Sequence, residues 1–305
     1  MSDTPSQLFD ALAMKLSSHS ICRQDEPLAR RTTLRVGGKA DCYVEPSSES
    51  DLAAVVQFCA AERRPFLVLG RGSNLLIRDA GFRGVVIHLG HANFSRLDIL
   101  GERVICGAGA KLKNVAVEAR RKNLTGLEFL EGIPGSVGGA LRMNAGAMGA
   151  AMFEVVETIR FMDRAGGVHE SAASKIPVDY RSCAFFKENI ALGAVLRGRP
   201  GTAGEITERM TAYSKKRWQS QPAQPSAGCI FKNPAAIPAG KLIDELGLKG
   251  LRVGGAVVSD VHGNFIVNEG NATARDILEL IEQIKIRAKA ERGIDLETEV
   301  EILGE

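Results

Sequence analysis

The sequence predicts a mixed helix-and-strand protein, α+β or α/β, of two or three domains, on three grounds. Short apolar runs alternate with segments of helical periodicity, giving a strand–helix–strand order that leaves both α+β and α/β units open. The chain has 305 residues, where a single domain spans roughly 100–200. Apolar residues make up 45% and charged residues 25%, as in globular proteins that bury a sizeable core. The net charge of +3 is too small to point to nucleic acid and fits an anionic small-molecule substrate. No window approaches the roughly 18 apolar residues of a membrane span. The start, MSDTPSQLFD, has neither a basic head nor an apolar stretch, so no secretory signal is expected. The six cysteines (22, 42, 59, 106, 183, 229) form no CxxC pair and no metal spacing. They read as mostly buried thiols of a reducing compartment, and a cytoplasmic location is expected.

In chain order, Thr4-Pro5-Ser6-Gln7 reads as a helix start, with Thr at the cap, Pro at the first position and Gln placed for a capping box. Leu8, Leu12 and Leu16 share that helix's apolar face. The basic stretch LARRTTLRVGG, 28–38, leads into a strand at 40–44. Ser50 is expected to cap a helix burying Leu52, Val55, Val56 and Cys59. Strands follow at 66–69, 75–77 and 85–89, the first two separated by the loop GRGSN, 70–74. A strand at 103–106 precedes a helix over 111–122 with Leu112, Val115, Ala116 and Ala119 inward. Strands at 155–163 and 191–197 flank a loop carrying Tyr180-Arg181, and GRPGTAG, 198–204, is the best linker candidate. Next come a helix from 205 to about 218 and an irregular segment, 219–238, holding four of the eleven prolines. A short helix over 241–246 stops at Gly247, and strands lie near 256–259 and 264–268. One clear amphipathic helix is capped by Thr273, carries Ile277, Leu280, Ile281, Ile284 and Ala288 on one face, and stops at Gly293. A last strand covers 296–303.

Chemistry concentrates in two glycine loops, GRGSN (70–74) and GIPGSVGGALRMNAG (132–146), the second with five glycines. Glycine serves where φ is positive or where backbone must approach something closely, and successive N–H groups in such a loop can cradle a pyrophosphate. Two such loops are better explained by one long anionic ligand than by two connectors. Neither is GxGxxG or GxxxxGK[ST]. The side chains of Ser73, Asn74, Ser136 and Asn144 can add hydrogen bonds to phosphate or sugar, or can bond their own turns. His88, His91 and His262 show no metal spacing and read as structural, and no metal is expected.

Seven segments occur in an order that resembles the UDP-N-acetylenolpyruvoylglucosamine reductase (MurB) family. They are RTTLRVGGKAD (31–41), LGRGSNLLI (69–77), GLEFLEGIPGSVGGALRMNAGAMG (126–149), YRSCAF (180–185), SAGCIFKNP (226–234), GLKGLRVGGAVVSDVHGNFIVN (247–268) and LETEVEILG (296–304). The resemblance runs from about residue 28 to the end of the sequence. It implies an FAD-binding domain of the vanillyl-alcohol-oxidase type, in two subdomains, plus a C-terminal α+β substrate domain. The corresponding divisions are 1–90 (with 296–305 returning to it), 91–200 and 201–295. It also implies non-covalent FAD, NADPH as co-substrate, and reduction of UDP-N-acetylglucosamine enolpyruvate to UDP-N-acetylmuramate in peptidoglycan precursor synthesis. A monomer without nucleic-acid partners is expected. The two glycine loops become the FAD cradle, through Gly70, Arg71, Gly72, Ser73, Asn74 and Leu75 on one side. The other side is Gly132, Ile133, Pro134, Gly135, Ser136, Gly139, Asn144, Ala145 and Gly146.

By its match to the family's YR motif, Arg181 is the cation that stabilises charge developing toward the substrate carboxylate. The acidic partner is Glu299, immediately before the valine of LETEV, with Glu297, two residues earlier on the same face of a strand, as the alternative. The family's proton donor is usually a serine, and here that position is Cys229. A thiol, with an ordinary pKa of about 8.5, can donate a proton. Tyr180, Lys216, Arg217 and Asn233 match substrate-contacting positions. Without an insertion between Tyr180 and Gly198, the chain resembles the shorter subtype that lacks a tyrosine-bearing loop. A same-fold oxidase of alcohols and a non-enzymatic nucleotide binder are the competing readings. The first is disfavoured by YRSCAF and SAGCIFKNP, and the second leaves Arg181, Cys229 and Glu299 unexplained.

Overall fold

The computed structural model describes residues 5–305, and the chain divides into two compact units. The first comprises residues up to Asp25, with Asp41–Arg71 and Gly84–Lys216. The second comprises Glu26–Ala40, Gly72–Arg83 and Arg217–Glu305. The fold is α+β, and no helix of the described residues is long and apolar enough to cross a membrane.

The larger sheet of the first unit has five strands in the order Val168–Ala172, Val156–Met162, Ile190–Arg197, Arg103–Gly107 and Leu97–Leu100. Every neighbouring pair is antiparallel. A four-stranded sheet orders Ile21–Pro27, Lys39–Glu45, Phe82–His88 and Phe66–Leu69, the last two parallel. Helices supply apolar faces at the predicted spacing. Leu52, Val55, Val56 and Cys59 of Glu49–Ala61 are buried, as are Leu112, Val115, Ala116 and Ala119 of Leu112–Arg121. They join Leu8, Leu12, Val104, Ile159 and Leu196 in one core. The expected Thr4 cap lies outside the described residues.

Two local expectations are corrected here. Ser48, not Ser50, caps the Glu49–Ala61 helix, its Oγ accepting the Asp51 N–H at 3.1 Å. Ser48 is extended, as a cap must be, whereas Ser50 already lies inside the helix. The linker candidate 198–204 is tied down instead, because Arg199–Pro200 pairs with Leu124–Thr125 and the Gly201 N–H donates to Asn123 O at 2.9 Å.

The second unit holds a three-stranded antiparallel meander of Arg252–Val253, Ala256–Val258 and Ile266–Asn268. The helices Ala239–Glu245 and Ala274–Arg292 bury Leu242, Ile243, Ile277, Leu280, Ile281 and Ile284 with Leu34, Leu76, Ile230 and Phe231. The long helix starts with the predicted Thr273 cap, completed by Asp276 into a capping box, and ends at Gly293 in the left-handed conformation, φ 67°. The Asp79 carboxylate accepts two further first-turn amides, from Ala274 (2.8 Å) and Arg275 (2.9 Å). The expected last strand is shorter than predicted. Only Glu301–Leu303 is regular, paired in parallel with Leu75–Ile77, while 296–300 carries a single bridge, Thr298 to Phe231.

Candidate active site

In the first unit the two glycine loops meet. A Cβ built on Gly70 would stand 3.1 Å from Ser136 Oγ and 3.9 Å from Gly139 Cα. Neither Gly70, Gly132 nor Gly139 has a positive φ, so conformation does not demand glycine there. Nor does the protein interior demand it at Gly132, where a Cβ would meet nothing within 4 Å. Glycine at such positions leaves room for backbone to approach a ligand. Gly138 differs, since its Cβ would press on Ala108 Cβ at 3.0 Å. The amide cradle is narrower than the glycine count suggests. The N–H groups of Ile133, Gly135, Val137 and Gly138 donate to Leu130, Ile133, Ala110 and Ala108 carbonyls. What the loop offers is close approach, together with the buried Ser136, whose hydroxyl makes no capping bond to the Val137–Arg142 helix that follows it. Ile133 and Ala145 pack against the core, and Pro134 is exposed.

Arg181 sits on a tight turn in which Asp179 and Ser182 exchange backbone hydrogen bonds of 2.9 and 3.3 Å. Its φ of 57° is left-handed, a sparsely populated state for an arginine. Asn144 braces this turn, its Nδ2 donating to Asp179 O (3.2 Å) and its Oδ1 accepting the Phe153 N–H (3.1 Å). The Asn144 side chain is therefore engaged with protein at both ends. The Arg181 guanidinium lies 5.0 Å from the exposed Tyr180 ring. A Cβ on Gly146 would stand 2.9 Å from Arg181 Nη1 and 2.7 Å from Ala150 O, so glycine leaves space for the guanidinium.

In the second unit, Cys229 and Glu299 lie on adjoining segments. The Glu299 N–H donates to Ile230 O at 2.8 Å, and the Lys232 N–H donates to Glu297 O at 2.9 Å. Asn74 enters the same cluster, with Nδ2 donating to Glu299 O (3.1 Å) and its own carbonyl accepting the Glu301 N–H (3.0 Å). Leu75 continues that loop as the first residue paired with Glu301. Cys229 is a half-buried thiol outside any disulfide, preceded by Gly228 at φ 77°. Ser73 O is the nearest atom to a Cβ built on Gly228, at 3.9 Å. Glu297, whose side chain is 76% exposed, pairs with Lys232 Nζ at 3.1 Å, whereas Glu299 is half-buried. Gly72 has φ 61° and a Cβ there would meet Arg31 O at 2.4 Å, so it is glycine for protein reasons.

Arg71 and Lys216 are exposed in the first unit. Arg217 Nε donates to Gln221 Oε1 at 3.2 Å. Asn233 is spent on local structure, its Oδ1 accepting the Ala239 N–H at 3.0 Å. Two buried asparagines with no local sequence motif, Asn264 and Asn268, brace the second unit. Asn264 accepts the Phe231 N–H (2.9 Å) and donates to Phe231 O (2.8 Å), while its carbonyl accepts the Ile230 N–H (2.9 Å), so it fixes the residues after Cys229. Asn268 Nδ2 donates to Leu34 O at 3.1 Å. Both lie in GNFIVN, where they bracket the apolar run Phe265-Ile266-Val267. Three of the five histidines have backbone partners: His88 Nδ1 with Leu69 O (2.9 Å), His91 Nδ1 with Asn93 N–H (3.3 Å) and His262 Nδ1 with Asn264 N–H (3.1 Å). Burial holds the His262 imidazole below its ordinary pKa.

Comparison with known proteins bears on these clusters. The family profile for the UDP-N-acetylenolpyruvoylglucosamine reductase C-terminal domain matches residues 221–303, and that for an FAD binding domain matches 40–172. The chain is 45% identical to the UDP-N-acetylenolpyruvoylglucosamine reductase of Geobacter metallireducens, over 92% of this chain and 94% of that one. The Bacillus subtilis enzyme of that name is 41% identical, over 92% and 93%. The crystal structure of the Thermus caldophilus enzyme superposes with a TM-score of 0.80 at 38% identity, covering 93% of this chain and 98% of that one. The chain therefore belongs to the UDP-N-acetylenolpyruvoylglucosamine reductase family, with an FAD-binding domain followed by that family's C-terminal domain.

Proposed function

We propose that this protein is an NADPH-dependent reductase of UDP-N-acetylglucosamine enolpyruvate, forming UDP-N-acetylmuramate for peptidoglycan synthesis, in which Cys229 is the proton donor. The residues present suit FAD. Gly70, Gly132 and Gly139 are glycines that neither a positive φ nor protein packing at Gly132 requires, and Ser136 adds a hydroxyl beside them. These four would hold the cofactor's pyrophosphate. When bound, FAD supplies the hydride that it has taken from NADPH.

The chain's own residues handle the rest. Reduction of the vinyl group builds negative charge toward the substrate carboxylate, and a fixed cation there lowers the barrier. Arg181 is assigned to it, held by its left-handed turn and by Asn144. Glu299 orders the developing enol. The Cys229 thiol delivers its proton to the carbon beside the carboxylate and is reprotonated from solvent. Tyr180, Lys216 and Arg217 are assigned to substrate binding. The interlocked Cys229 and Glu299 segments, joined through Ile230 O, are the observation that carries this reading. A cytoplasmic, monomeric enzyme serving cell shape and division goes with it, with the FAD domain in two subdomains.

The test is a spectrum of the purified protein. Oxidised-flavin absorbance should be bleached by NADPH and restored by the enolpyruvyl nucleotide. A protein that cannot be loaded with FAD, or a bleached flavin that the nucleotide does not reoxidise, overturns the proposal.

A further inference from the structure

Cys22 and Cys42 lie on the neighbouring strands Ile21–Pro27 and Lys39–Glu45, with their Sγ atoms 3.5 Å apart and in hydrogen-bond contact. Nothing in the proposed reaction uses them. The pair is asymmetric in access, since Cys42 is fully buried and Cys22 is half-buried. It is also asymmetric in acidity. The hydrogen bond from Cys42 holds the Cys22 thiol below its ordinary value, while that same contact, and then burial, push Cys42 up. The thiolate is the nucleophilic form of cysteine. Cys59 and Cys106 contrast with Cys22, because burial pushes each up to about 12.

We propose that Cys22 and Cys42 are a peroxide-reactive dithiol site, Cys22 attacking and Cys42 resolving. The Cys22 thiolate attacks one oxygen of hydrogen peroxide. The O–O bond breaks, the departing hydroxide takes a proton to become water, and Cys22 becomes a sulfenic acid. Cys42 sulfur then attacks Cys22 sulfur. The S–S bond forms, the S–O bond breaks, and the second hydroxide leaves as water with the Cys42 proton. Two thiols lose two electrons in total, and one peroxide becomes two waters. The bridge closes a loop of residues 23–41, which includes the segment 26–40. Within that segment the Thr33 N–H donates to Gly72 O (3.1 Å), and Thr33 Oγ1 donates to Ser226 O (2.6 Å). The cross-link thus ties both ends of the segment that braces the loop leading to Cys229.

The experiment treats the full-length holoprotein with equimolar hydrogen peroxide, then alkylates it under denaturing conditions and maps the peptides. Two of the six thiols should be lost, with one cross-linked peptide pair containing Cys22 and Cys42, lighter by two hydrogens and restored by dithiothreitol. Cys42→Ser should leave an oxygen adduct on Cys22, and Cys22→Ser, at the half-buried position, should leave Cys42 alkylatable. The bridge should still form in Cys229→Ser. Full alkylation of Cys22 and Cys42 while Cys229 is oxidised overturns the proposal, as does an oxygen adduct on Cys22 of the unmodified sequence without a cross-link.

Discussion

Asn74 donates a 3.1 Å hydrogen bond from Nδ2 to the carbonyl of Glu299, and its own carbonyl accepts the Glu301 N–H. A residue expected to face the cofactor thus also anchors the backbone of Glu299. Asn74→Ala removes the neutral hydrogen bond to Glu299 O, worth about 1 kcal/mol. The substrate half-reaction should slow more than flavin reduction by NADPH in stopped-flow measurements. An equal fall in both steps would assign Asn74 to the cofactor alone.

Gly146→Ala places a methyl against Ala150 O and Arg181 Nη1, at 2.7 and 2.9 Å before any adjustment. The backbone carbonyl cannot yield as a side chain can. Displacing a positioned charge by about 1 Å costs roughly 100-fold in rate, so kcat for the enolpyruvyl nucleotide should fall 10- to 100-fold, roughly, with flavin content intact. Loss of bound flavin instead would place Gly146 in the cofactor site.

Asn264→Ala leaves the Phe231 N–H and carbonyl without their present partner. Each buried, unsatisfied backbone group costs about 1–3 kcal/mol. The melting temperature should drop clearly, and Asn264→Asp should recover only the bond to the Phe231 N–H. Thermal unfolding of both variants checks this, and a stable Asn264→Ala protein would contradict the clamp.

Acid stability should depend on Asp51. Burial alone would raise its pKa, but hydrogen bonds from the Ser17 N–H and from the Ser47, Ser17 and Ser48 hydroxyls hold the carboxyl well below the usual range. A depressed folded pKa contributes stability that is present above the unfolded value, about 3.9, and is lost as pH falls through the folded value. Urea unfolding at successive pH values below about 4 should therefore show a steeper loss for the unmodified protein than for Asp51→Asn. Parallel curves would count against the role of Asp51.

Much of the fold could be read from local signals because those signals were redundant. The Ala274–Arg292 helix has a cap, an apolar stripe and a glycine stop that agree, and the Leu112–Arg121 helix buries the four residues its spacing selects. Local reading failed where several residues could do one job. Ser47, Ser48 and Ser50 are all capping types, and only backbone geometry selects Ser48. It failed again where tertiary pairing decides. The 296–300 stretch alternates like a strand yet makes one bridge, at Thr298, and the surroundings of its two glutamates come from tertiary packing: Glu297 is exposed beside Lys232, whereas Glu299 is half-buried. Asn264, Asn268 and Asp79 matter through partners distant in sequence, which no local pattern contains.

The proposed role of Cys229, protonating the substrate in the second half-reaction, is decided by rapid mixing of Cys229→Ala. Flavin reduction by NADPH should proceed at the unmodified rate, while reoxidation by UDP-N-acetylglucosamine enolpyruvate should be lost and then largely restored in Cys229→Ser. Equal loss of both half-reactions, or normal reoxidation in Cys229→Ala, would contradict it.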